Sequence, residues 1–200
     1  MSNETSTQQT MRTVMDAFQV VKDFQQSLSD MFRTIGLILE EQDTPYELLD
    51  GTIYSASLSA KLRSPSRWNS RHFAASYCPT DDEYLPIFLV NVSVDHEFSK
   101  QPEVWLGVVS EVDSAEAFPY ETTMKVLFRD FFVPEDEWTE TNEWYEESID
   151  DDGVSCLLSF LRFPLEKLQG WDDLEHHVVK RLLDRGQEVS VQDEDEEDED

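Results

Sequence analysis

The chain has 200 residues and sets 44 Asp and Glu against 15 Lys and Arg, a formal net charge of −29. That length suits one domain with short extensions and can bury roughly two-thirds of its unfolded surface, so neither a metal nor a disulfide is needed to fold it. The charge argues against direct nucleic-acid binding, which needs a basic stripe for the phosphates, and against anionic membranes, while attracting basic partners.

The opening MSNETSTQQT is polar, lacks the basic-then-apolar order of a signal peptide, and is expected to be disordered over residues 1–10. No apolar stretch approaches ~18 residues. Together with two widely spaced cysteines, Cys78 and Cys156, read as reduced thiols inside strands, this predicts a cytoplasmic protein.

Residues 11–41 predict one long helix. Met11, Val14, Phe18, Val21, Leu28, Phe32, Ile35 and Leu39 keep a three-four spacing broken only by Gln25, and Met15, Phe24, Met31 and Ile38 widen the stripe. A stripe of that width suits a helix lying on a sheet or pairing within a homodimer. Pro45 stops it.

Tyr46 to Leu58 predicts a strand with a bend at Gly51, and Arg67 to Tyr77 the next. Between them Lys61, Arg63, Arg67 and Arg71 gather around Trp68, a group expected to offset the surrounding negative field rather than to bind an anion. The clearest signal is Tyr84 to Val112. Phe88, Val90, Val92 and Val94 alternate with Asn91, Ser93 and Asp95, and Val104, Leu106, Val108 and Val112 share a parity across a polar connection. This is an antiparallel pair in mid-sheet, expected to have one dry face.

Residues 114–133 fit a helix and a strand almost equally, with the helix preferred. From 135 to 152 stand ten acids and no base; Pro134 suits a helical first position, and an acidic helix with Trp138, Thr141 and Tyr145 on one side is expected. Gly153 to Phe163 predicts a buried strand. Trp171, Leu174, Val178 and Leu182 predict a last helix ending at Gly186, with Lys180, Arg181 and Arg185 suiting its C-terminal dipole end, followed by a disordered acidic tail over 187–200.

Taken together, residues 11–186 predict a single α+β domain, with an antiparallel β-sheet of five to six strands packed against a long N-terminal helix and a C-terminal helix. That order of elements resembles small secretion chaperones, a likeness of element order that transfers no residues.

Signals for chemistry are absent or weak. With 6 Gly there is no phosphate-cradling glycine loop, and neither CxxC nor HExxH occurs, so no cofactor and no metal site is expected. The acidic clusters Asp81, Asp82, Glu83 and Asp150, Asp151, Asp152 lack the alternating oxygens and closing Glu of a calcium loop. A metal-dependent nuclease built on Asp95, Glu111 and Lys125 would lack a basic surface for its substrate. A halophilic host would explain the acidity without any function attached. The remaining reading is a non-enzymatic protein that binds a basic protein partner, imitating a phosphate array or masking a client. Its candidate surface is Glu137, Trp138, Glu143, Trp144, Tyr145 and Glu147, where aromatic anchors stand among acids.

Overall fold

A computed structural model of the chain describes residues 6–54, 72–80, 86–94, 101–110, 143–151 and 154–197. The first helix, α1 (Ser6–Glu40), begins within the stretch expected to be disordered. It stops as the sequence requires at Pro45, and Gln42 closes its end by donating from Nε2 to the Ile38 carbonyl at 2.8 Å.

Six strands follow: β1 (Tyr46–Tyr54), β2 (His72–Pro79), β3 (Ile87–Ser93), β4 (Glu103–Ser110), β5 (Tyr145–Asp151) and β6 (Val154–Pro164). They form one antiparallel sheet in the order β1-β2-β3-β4-β6-β5. The predicted pair β3 and β4 lies at its centre. The irregularity in β1 falls between Leu48 and Asp50, just before the Gly51 expected to carry it. A 3-10 turn (Leu165–Lys167) leads to the C-terminal helix. That helix is continuous through α2 (Trp171–Leu174), a π-turn (Glu175–Val179) and α3 (Lys180–Glu197). Asp173 caps its start by accepting from the Gln169 backbone N–H at 2.9 Å.

This is the predicted α+β fold, with both helices over the same sheet face. Phe73, Ala75 and Tyr77 of β2, Phe88, Val90 and Val92 of β3, Val104, Leu106 and Val108 of β4, and Leu161 and Phe163 of β6 form that face. Leu28, Ile35, Ile38 and Leu39 of α1 and Leu174, Val178, Val179, Leu182 and Val189 of the C-terminal helix seal it. Gly36 allows a close seat: a Cβ there would meet the Tyr77 ring at 3.4 Å, and Tyr77 donates its hydroxyl to the Phe32 carbonyl at 2.8 Å.

Three expectations change. Gly186 does not end the last helix, which runs on to Glu197 with Val189 buried beyond it. What the glycine provides is space, since a Cβ at that position would lie 2.9 Å from Phe88 Cε1. The second face of the central pair is also dry: Leu89, Asn91, Ser93, Trp105 and Val109 are all buried, where Asn91 and Ser93 were expected on a wet side. Residues 145–151, expected to be helical, are strand β5. The segment expected to be helix or strand, 114–133, lies outside the described residues.

Candidate functional site

The acidic segment becomes a sheet edge for a local reason and a long-range one. Locally, Tyr145 and Glu147 alternate with Glu146 and Ser148, a period of two as well as a fragment of a helical one. At long range, β6 is 11 residues long and needs a partner on its outer side for its backbone groups. β5 supplies that partner from Tyr145↔Phe160 to Asp151↔Val154, and among the described residues β5 itself pairs on one side only.

The register divides the predicted site. Trp144 is half-buried against the core and anchors the entry to the strand. Tyr145 is 49% exposed and leans on Phe160, ring centroids 4.8 Å apart. Glu147, two residues along on the same side, is exposed, as is Glu143. The structure therefore brings Glu143, Tyr145 and Glu147 together on one edge, with Trp144 beneath. Glu137 and Trp138 lie outside the described residues, as do the Lys61 to Arg71 cations, the Asp81 to Glu83 cluster, and Asp95, Glu111 and Lys125.

What the sequence did not reveal is how this edge is held. Glu146, on the opposite side of β5, pairs with Arg185 of α3. Arg185 also pairs with Glu188 at 2.9 Å and donates to Ser159 Oγ of β6 at 3.0 and 3.2 Å. The guanidinium is buried, and its two carboxylates and hydroxyl make that burial tolerable, because an unpaired buried charge is strongly destabilising. Arg185 was assigned to the helix C-terminus. Its spacing held the better signal, since Val178, Leu182, Arg185 and Val189 continue one stripe and place the cation against the sheet. One helical residue thus ties the C-terminal helix to β5 and β6 and pairs Glu146, whereas no ion pair of Glu143 or Glu147 is found among the described residues.

A second polar group sits on the other face. Trp105 donates Nε1 to Glu103 Oε2 at 3.1 Å, and Arg162 lies 3.8 Å from the same oxygen. Asn91, paired in register with Trp105, has both amide atoms buried without a hydrogen-bond partner, as has the Ser93 hydroxyl. Such groups destabilise the sheet, and with Asn91 only 1% exposed the site is closed to a ligand from solution.

Among the described residues no group of three or more His, Cys, Asp or Glu side chains could hold a metal ion. No helix among them is long and apolar enough to cross a membrane. Cys78 and Cys156 are unpaired. They lie on β2 and β6, three strand spacings or ~14 Å apart, too far for a bond. Burial pushes the Cys156 thiol up to about 11 and raises Cys78, with Glu47 adding to the latter, so both are poor nucleophiles. Comparison with known proteins finds no match to any family model, curated protein or solved structure.

Proposed function

We propose that this is a non-enzymatic cytoplasmic binding protein whose acidic edge strand receives an extended basic segment of a partner protein. The observation that carries the reading is β5 itself. With the two residues that lead into it, Glu143 to Asp151, it holds five acids, no base and an exposed tyrosine, on a strand that among the described residues pairs on one side only.

A strand edge offers a row of backbone donors and acceptors, which a second strand can extend while its alternate side chains meet those of the host. Acids along that row repel another copy of the same edge and admit a cationic strand. Tyr145 adds an apolar contact that charge alone lacks. Of the two partner types the sequence suggests, an array of phosphate mimics and a carrier for a basic client, this geometry favours the carrier. A strand edge selects an extended peptide, whereas the groove of a nucleic-acid-binding protein needs no pairing of backbones. The reduced cysteines support the cytoplasmic setting.

The test is calorimetric titration of a ten-residue peptide alternating Lys and Val, with an alternating Glu and Val peptide as control. Binding of the first alone is expected, weakening about tenfold between 50 and 300 mM salt as exposed charges are screened. Joint replacement of Tyr145→Ala and Glu147→Lys should remove it, lowering the unfolding midpoint only slightly through the lost Tyr145 contact with Phe160. Absence of binding, or binding lost only when the eight closing acids are replaced by their amides, would sink the reading.

A further inference from the structure

The same helix that seals the sheet leaves half of its stripe in solvent. Met11 is 59% exposed, Met15 69%, Phe18 72%, with Val14 and Val21 also open. These five side chains present on the order of 500 Å² of apolar surface, at the upper end of what a monomer shows in one patch. The stripe is not a separate feature. Met11, Val14, Phe18 and Val21 are the first four seam positions of a heptad whose later positions, Leu28, Ile35 and Leu39, are buried on the sheet. From Phe24, which meets Phe73 edge-on at 5.9 Å, the sheet covers the seam; before it, no described element does.

Charge identifies the occupant. Residues 6–23 carry Arg12 and Lys22 against Asp16 and Asp23, no net charge, in a chain whose total is −29. The flanking positions that would face a partner helix across residues 8–17 are Gln8, Thr10, Met15 and Ala17, none of them ionised. A surface without excess acid holds no attraction for a basic protein, and this neutral stretch is where two copies of an otherwise repulsive molecule can meet.

We infer that residues 8–24 of α1 dock against the same residues of a second copy, in an antiparallel helical pair centred on Asp16. About that centre the seam is self-complementary: Met11 faces the partner's Val21, and Val14 faces the partner's Phe18, as a two-fold axis requires. Lys22 then faces the partner's Gln8, and no like charges oppose each other across the seam. The orientation follows from the acidic bodies. An antiparallel pair sets them at opposite ends of a seam ~25 Å long, about three times the ~8 Å over which charge is felt at physiological salt. A parallel pair would set them side by side. Two such stripes bury about 1,000 Å² in total, the lower limit for a specific interface and the size of transient, reversible contacts.

Sedimentation equilibrium of the full chain between 1 and 500 µM at 0.15 M salt tests this. The 23.3 kDa species should give way to twice that mass as concentration rises. Phe18→Glu should abolish the change without moving the unfolding midpoint of the dilute protein. Under mild oxidation Ala17→Cys should cross-link to itself, because residue 17 faces its own copy in the antiparallel pair, and the wild-type chain should not. A monomer throughout the range would hand the stripe to a different protein's helix and overturn the inference. So would a dimer that survives Phe18→Glu, or one cross-linked by Val14→Cys and not by Ala17→Cys. The peptide titration at β5 uses a separate surface, so either proposal can fail alone.

Discussion

The two halves of α1 carry one apolar spacing on one unbroken helix and meet opposite fates. Ile35 and Leu39 are fully buried, while Phe18, six residues before the Phe24 contact with Phe73, is the most exposed large hydrophobic side chain among the described residues. The cause is a mismatch of lengths. A helix of 35 residues is ~52 Å long, whereas eight-residue strands are ~27 Å and six of them side by side span ~24 Å. No placement on this sheet covers the whole stripe. An amphipathic period therefore announces that a face is made to be covered, and the dimensions of the remaining structure decide how much of it the same chain can cover.

The sharpest way to break this comparison is to cut an equivalent side chain from each half. Ile35→Ala should cost about 2–5 kcal/mol in urea unfolding, since it opens a cavity in a sealed core. Phe18→Ala should cost less than about 0.5 kcal/mol at a concentration where the chain is monomeric. Equal losses would mean that residues 11–21 are packed in the monomer. A smaller effect tests how the buried half is seated. Tyr77→Phe removes only the hydroxyl bond to the Phe32 carbonyl and should lower stability by about 1 kcal/mol. Burial raises the Tyr77 hydroxyl far above its ordinary value, so the bond and its contribution should be insensitive to pH across the neutral and moderately alkaline range.

The smallest effect concerns His177, on the π-turn that packs beside α1. Burial lowers its pKa from the usual 6.5, and the neighbouring Arg181 and His176 lower it further. The unfolded chain then takes up this proton before the folded one does, so the contribution is complete above pH 6.5 and is lost as pH falls below it toward the folded value. The thermal midpoint should decline slightly from pH 7.5 to 5.5, and His177→Gln should flatten that decline. An unchanged slope in the variant would remove His177 from the account.

Legibility of the fold followed the range of the forces involved. The central strands were readable because β-branched residues at every second position need no knowledge of neighbours, and the stop at Pro45 because a missing N–H and a ring clash act within one turn. The acidic edge was half-readable. Its composition marked a surface, but the density of acids after Pro134 suggested a helix start, and only the need of β6 for an outer partner made Tyr145–Asp151 a strand. Arg185 was misassigned for the same reason, its carboxylate and hydroxyl partners lying on β5, β6 and the next helical turn.

By itself, then, the sequence determined the antiparallel α+β fold, the helix stripes, the acidity and the residues around Tyr145 as a surface, all properties carried by local spacing and composition. Only the tertiary structure decided that Asn91 and Ser93 lie inside, that Gly186 is a point of contact rather than a helix end, and that α1 is half sealed. Those outcomes depend on which elements arrive at the same place. Register, strand order and the relative lengths of helix and sheet settle that, and none of them is a property of any one segment.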